Sequence, residues 1–253
     1  MNKKQLAIWI MGAAFLPVFA QADDDFAPTW RGSKGSVYAD FNAWPGFYNT
    51  PPAGFFTGPD VWSTNPLDGM NSVDAPEAER INAGTLNLFP RSQVISINEA
   101  DGLIIKLKNY ENENPVKKIY LQVTYQQSHA PTGIAVWTGW GKVGTPQIFT
   151  ASSVLVSSSG VKNGGWITAA YEIKLHPNPA AETIGLRFDG YPANVDQVVV
   201  DTLCTKPANC TEVWELGLGM QMDFNHDCHV NMLDFAVFAE QWLSCNDPED
   251  EDC

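Results

Sequence analysis

Six residues near the carboxyl end have types and spacing suited to one kind of chemistry. Asp223, Asn225, Asp227, Asn231 and Asp234 fall at positions 1, 3, 5, 9 and 12 of a twelve-residue stretch, and His229 at position 7 offers its backbone carbonyl. Three carboxylates, two amide side chains and one carbonyl give a hard divalent cation six or seven oxygens, counting a water. The spacing is that of a calcium loop, so Ca2+ is the ion it predicts. Behind it, Phe235, Phe238, Ala239 and Trp242 recur at i, i+3, i+4 and i+7, which predicts a helix with one apolar face. Asp234 falls in the first turn of that helix, where a carboxylate also offsets the helix dipole. That is its competing role. Position 6 is Cys228, where such loops use glycine, and a left-handed backbone there costs a non-glycine residue ~1–2 kcal/mol. Position 12 is aspartate rather than the longer glutamate. Both departures predict weak binding, on the order of 10⁻⁴–10⁻³ M.

Other chemistry is thin. The chain has no H-E-x-x-H zinc pattern and no G-x-S-x-G elbow. Glu99 and Asp101 begin an E-x-D-x-x-E pattern, but Ile104 stands at its third acid. A dispersed carboxylate pair such as Glu172 and Asp189 would need to lie ~5 Å apart for a retaining mechanism, and solvated strand faces are the plainer reading. His129 and His176 neighbour prolines and read as loop residues; His226 and His229 belong to the calcium loop and point outward. Tryptophan is abundant: Trp44, Trp62, Trp137, Trp140 and Trp166 could each pack a core or stack on a sugar ring. Trp137 and Trp140 differ in strand parity, so one of them faces solvent if the strand continues. They are the candidate glycan-binding residues.

These groups must be positioned by a chain of 253 residues. Lys3 and Lys4 followed by the apolar run Leu6 to Phe19 and by Ala20-Gln21-Ala22 predict a secretory signal peptide over residues 1–22. That run is shorter than the ~20 residues that span a bilayer, and no later stretch is long enough. Loss of Lys3 and Lys4 lowers the 15 basic residues to 13 against 29 acidic ones, moving the net charge from −14 to −16. Such a surface repels nucleic acid and anionic membranes. The runs at Asp23-Asp24-Asp25 and Asp247 to Asp252 read as solvated ends. Export makes disulfides expected among Cys204, Cys210, Cys228, Cys245 and Cys253. A helix from Asn231 to Leu243 is ~20 Å long and bridged Cα atoms lie within ~7 Å, so Cys228 cannot reach Cys245. The expected bonds are Cys245–Cys253 and Cys228 with Cys204 or Cys210, leaving one cysteine over.

Period-two alternation dominates the middle of the chain. Strands are predicted at Ser36 to Phe41, Gly102 to Tyr110, Lys118 to Gln126, Gly133 to Thr138, Gln147 to Thr150, Ser153 to Ser157, Trp166 to Leu175, Thr183 to Asp189 and Val195 to Leu203. Leu103, Ile105 and Leu107 share one face, as do Ile119, Leu121, Val123 and Tyr125, with Gln122 and Thr124 opposite. Trp62 to Leu86 reads as irregular. Many short strands without helices predict an antiparallel two-sheet β-sandwich, jelly-roll-like, over residues 23–203. Residues 204–221 form a connector with no evident helix entering the loop, because Pro207, Gly217 and Gly219 oppose a long one. Residues 222–253 carry the loop, the helix and an acidic tail.

Two resemblances sharpen this. Pro28-Thr29-Trp30-Arg31-Gly32 and Val198-Val199-Val200-Asp201-Thr202 resemble the ends of secreted β-sandwich proteins of some environmental bacteria, which implies fold but no activity. Asp223-x-Asn225-x-Asp227, Val230-Asn231-x-x-Asp234-Phe235 and Trp242-Leu243 resemble one half of a type I dockerin, a calcium loop with a single exit helix. Dockerins carry two such repeats and this chain has one. The resemblance implies attachment to a cohesin-like or other extracellular docking protein, with Phe235, Phe238 and Trp242 as partner-binding residues, and it brings polysaccharide into range as a ligand of the sandwich. The prediction is a secreted or cell-surface, non-catalytic sandwich with a calcium-binding attachment module. A carbohydrate-active enzyme and a purely structural matrix protein are the alternatives.

Overall fold

The computed structural model describes residues 24–42, 44, 55–57, 59–65, 73–80, 83–88, 91–98, 102–110, 114–138, 148–149, 153–162 and 164–242. The expected leader at 1–22, Glu99, Asp101, Trp140, Leu243, Cys245 and Cys253 lie outside them. Among the described residues, fourteen strands form: β1 (Ser36–Phe41), β2 (Phe55–Thr57), β3 (Val61–Asn65), β4 (Glu77–Arg80), β5 (Ala83–Leu88), β6 (Arg91–Ile97), β7 (Leu103–Lys108), β8 (Val116–Gln126), β9 (Pro131–Thr138), β10 (Ile148–Phe149), β11 (Val154–Ser158), β12 (Trp166–Leu175), β13 (Ala181–Phe188) and β14 (Ala193–Thr205). Two helices follow, α1 (Cys210–Glu215) and α2 (Met232–Gln241). Among the described residues, no helix is long and apolar enough to cross a membrane.

The strands make two antiparallel sheets, in the order β11-β12-β8-β14-β1-β3 with the β5–β6 hairpin on β14, and β10-β9-β13-β7-β4-β2. The two-sheet β-sandwich read from alternation is therefore present. Its core is the set of inward rows. Leu103, Ile105 and Leu107 of β7 face Ile119, Leu121 and Val123 of β8, and Ile184, Leu186 and Val200 complete the layer. Each is essentially buried and contributes about 1.5–3 kcal/mol of transfer free energy. Trp44 and Trp166 are fully buried, and Trp44 Nε1 donates to the Asp196 carbonyl at 2.7 Å.

Residues 62–86 correct the irregular reading. β3, β4 and part of β5 lie there, recruited by partners rather than by their own pattern: β3 pairs with β1, β4 with β7 and β5 with β6. Short polar segments become strands when a long neighbour leaves an unpaired edge for them to complete. Part of the outer face of the larger sheet is also not wet. Gln122, Thr124, Gln197 and Asp201 are buried, and the N-terminal segment covers Gln122 and Asp201. Arg31 fastens that segment. Its Nε and Nη2 donate to the two Asp201 carboxylate oxygens at 2.6 and 2.7 Å, and Nη2 also reaches Asp24 at 3.0 Å. Its guanidinium lies 4.2 Å from the Tyr38 ring centre, and Gln122 donates to Asp24 at 2.7 Å. Asp25 pairs with Lys162. The run expected as a solvated end is thus a clasp.

Asp40 sits beside that clasp, 5 % exposed, accepting from Gln197 Nε2 at 2.9 Å. Burial pushes its carboxyl up to about 6, aided by Asp60 and Asp24 and opposed by the Gln197 bond and Arg31. The folded form therefore holds a proton that the unfolded chain releases near 3.8, so this contribution is full below that value and lost as pH rises through about 6. Asp40→Asn should remove ~2–3 kcal/mol of fall in unfolding free energy between pH 4 and 6.5, measured by urea titration. Equal slopes in parent and variant would show that Asp40 is not the group responsible.

Candidate metal centre

The calcium-loop residues are held from behind by α1. Asn209 caps this helix by accepting from Glu212 N at 2.9 Å, and Lys174 of β12 reaches Glu212 at 3.2 Å. The helix ends in a Schellman turn: Gly217 has φ +69°, its N–H donates to the Trp214 carbonyl, and Leu218 N donates to Val213. The glycines that argued against a long helix end a short one. No helix was evident in the connector from sequence, because six residues are too few for a periodic signal. Gly219 has a second role. A Cβ there would lie 2.5 Å from the Trp214 indole, which stacks on His226 at 3.8 Å between ring centres. Both loop histidines are exposed; His226 stacks on Trp214, and His229 Nδ1 lies 3.0 Å from the Asp227 carbonyl oxygen.

Among the described residues, one disulfide, Cys210–Cys228, ties the first residue of α1 to position 6 of the loop, with Cα atoms 5.7 Å apart. Of the two partners expected for Cys228, Cys210 is the one used. Cys204 is a buried free thiol at the end of β14. Cys228 has φ +68° and His226 φ +60°, so the left-handed turn at position 6 is adopted and paid by a non-glycine residue. The covalent tie holds that conformation.

Asp223 is 1 % exposed and Asp234 2 %. Asp223 accepts from Asp227 N at 3.1 Å and from Cys228 N at 2.7 Å. Asn225 Oδ1 accepts from the same Asp227 N at 3.1 Å, and Asn225 Nδ2 donates to Asp227 Oδ2 at 3.0 Å. Asp227 Oδ1 accepts from His229 N at 2.9 Å. Asn231 is the N-cap of α2, accepting from Leu233 N at 2.7 Å, and Asp234 closes a capping box on Asn231 N at 2.7 Å. Asp234 also accepts from Asn225 N at 3.3 Å, which joins the two ends of the loop. Hydrogen bonds thus link positions 1, 3, 5 and 12 of the loop, and position 9 to position 12. Among the described residues, three metal-ligating side-chain atoms approach within 4.8 Å at Cys210, Asp223 and Cys228. Two of those are the disulfide sulfurs, which are not thiolate ligands. The carboxylates of Asp223, Asp227 and Asp234 are spread more widely. Their hard-oxygen chemistry fits Ca2+.

The predicted apolar face of α2 lies open. Phe235 is 58 % and Trp242 61 % exposed, and they line a groove of about 300 Å³ with Phe238 and Ala239. Phe224, not singled out from sequence, stacks on Phe238 at 5.9 Å, and Phe238 meets Trp242 edge-on at 4.8 Å. Leu218, Met220, Met222, Met232 and Leu233 are exposed around it. Among the described residues, this is a contiguous exposed apolar surface.

Elsewhere the candidates disperse. Of the tryptophans, Trp44 and Trp166 are core, Trp62 is exposed on β3, and Trp137 is half-buried on β9 in the other sheet. Glu172 lies on β12 and Asp189 follows β13, also in different sheets. Compared with known proteins, the chain matches no family model, no curated protein and no solved structure.

Gly219→Ala should displace Trp214 from His226 and cost about 1–3 kcal/mol in this segment, read as a change in indole fluorescence and faster amide exchange in the loop. An unchanged spectrum would show that the close approach is not needed. Backbone N–H groups, that of Asn231 first, hold the Asp234 carboxyl below its usual range. Its contribution is present above the unfolded pKa and lost as pH falls through the lower folded value. Amide protection at the start of α2 should therefore fall in acid well below pH 4, and Asn231→Ala should lower it by about 1 kcal/mol at neutral pH.

Proposed function

We propose that this chain is an exported, non-catalytic β-sandwich attached to a partner protein through a dockerin-like module that calcium orders. One observation carries the reading. Asp223, Asn225, Asp227 and Asp234 are hydrogen-bonded into a single loop whose exit helix leaves Phe235, Phe238 and Trp242 uncovered. Calcium, when bound, supplies the positive charge that three carboxylates in one turn call for. The chain's own residues do the rest. Asp223 pins the turn, Asn231 and Asp234 start the helix, and the Cys210–Cys228 bond fixes the sharpest bend. The partner would present an apolar ridge to the groove of α2. The disulfide agrees with an oxidising, extracellular location.

The sandwich itself is read as scaffold or glycan binder. Trp62 and Trp137 occupy different sheets, so they do not favour a shared stacking platform.

Calorimetric titration with calcium chloride tests the metal, with magnesium chloride as the control. A Kd of 10⁻⁴–10⁻³ M would stabilise the module by about 1.4–2.7 kcal/mol at about 10 mM calcium. Asp223→Ala would confuse this test, because its carboxylate also holds two backbone N–H groups. Asp227→Asn keeps an acceptor and removes a charge. It should leave calcium-free melting nearly unchanged and abolish the calcium-dependent rise. A parent chain that melts alike with calcium and with chelator would overturn the proposal. Retention of a partner from the exporting cell's medium should be lost both in chelator and in the Phe238→Ala, Trp242→Ala double variant.

A further inference from the structure

We propose that Lys117 and Asn109 are joined by an intramolecular isopeptide bond, formed with Glu182 as the acid–base group. This inference does not rest on the docking reading. It comes from three polar residues at places where strand alternation calls for apolar ones. Lys117 continues the inward row of Ile119, Leu121 and Val123 on β8. Asn109 continues Leu103, Ile105 and Leu107 beyond β7. Glu182 precedes Ile184, Leu186 and Phe188 on β13. All three are inside the sandwich: Lys117 is 0 %, Glu182 1 % and Asn109 6 % exposed.

Their atoms are arranged for one reaction. Lys117 Nζ contacts Asn109 Oδ1, which places the amine beside the Asn109 carboxamide carbon. Glu182 spans both reactants, with Oε2 2.5 Å from Asn109 Nδ2 and Oε1 3.6 Å from Lys117 Nζ. Thr202 Oγ1 accepts from Nζ at 2.9 Å and steadies it. Asn109 Nδ2 also donates to the Pro179 carbonyl at 2.6 Å, which fixes the amide plane. A nucleophile, an electrophile and a proton carrier held in a site without bulk water have a large effective concentration, and hydrolysis of the amide is suppressed.

The atoms balance without a further reactant. The Lys117 ammonium passes a proton to the Glu182 carboxylate, giving an amine and a carboxylic acid. Two charges are thereby removed from a place where each is costly, and burial does raise the Glu182 carboxyl above its usual range. The Nζ lone pair attacks Asn109 Cγ, and the carbonyl π pair moves to Oδ1, which Glu182 stabilises by donating its proton. Glu182 then carries a proton from Nζ to Nδ2, the Cγ–Nδ2 bond breaks, ammonia leaves, and the Oδ1 proton returns to Glu182 as the carbonyl re-forms. The product is a secondary amide between Lys117 and Asn109. It fastens β8 of the larger sheet to the end of β7 in the smaller one.

Mass spectrometry of the full-length, reduced protein tests this. Acylated Lys117 resists trypsin, so the peptide should run from Asn109 to Lys118 and weigh about 17 Da less than its sequence, the mass of ammonia. Fragmentation should give no ions from single breaks between Asn109 and Lys117, because that part is a ring. Cleavage after Lys117 with the sequence mass, in protein that retains its sheet signal by circular dichroism, would overturn the proposal. So would a 17 Da deficit with an intact fragment ladder and a Lys117 amine free to acetylate, the signature of a succinimide at Asn109. Lys117→Arg should restore the full mass. Glu182→Gln should restore it in a chain with the parent's circular dichroism, and a cross-link that persists there would remove Glu182 from the mechanism.

Discussion

The pairing of β14 with β8 is the constraint on which the other features depend. Thirteen residues of β14 run the length of the larger sheet, about 43 Å, with β8 on one side and β1 and β6 on the other. One register sets everything on those strands. It sends Val198, Val200 and Leu121 inward, and it turns Asp201 and Gln122 outward to meet the Arg31 clasp. A slip of one residue would exchange the two faces and leave an arginine clasp with nothing to hold. The same register brings Lys117 opposite Cys204, at the end of the core where the polar residues gather.

Much of this was legible wherever one face is apolar. The alternations at Leu103–Leu107, Ile119–Tyr125 and Ile184–Phe188 predicted both the strands and their inward sides. What escaped the sequence is instructive in physical terms. β3 and β4 carry little pattern of their own and exist because long strands offer them edges. Gln122 and Asp201 look like solvent-facing positions, and a distant segment, through Asp24, Phe26 and Arg31, covers them. The Arg31 and Asp201 ends of the span are 170 residues apart, so no local window could join them. Lys117, Asn109 and Glu182 were visible in principle: each apolar row needed only to be extended by two residues to place a polar group in the core.

At the carboxyl end, spacing predicted the helix α2 well, because its signal is local. Positions 9 and 12 serve two purposes there. Asn231 and Asp234 cap the helix by the same oxygens that the ligand spacing assigns to an ion, so the helix start and the proposed metal site would share one arrangement. That economy explains how so short a module can be ordered. Cys228 appears as a defect in the spacing and is explained by Cys210, which sequence reasoning could name only as one of two partners.

Four residues separate the end of β14 at Thr205 from the start of α1 at Cys210. Tension applied at the exposed aromatic face would therefore reach the sandwich along the axis of its longest, most central strand. Load in that direction shears the rungs of the β14–β8 and β14–β1 ladders together instead of opening them one after another. A pull from that end would thus load both ladders of β14 in shear.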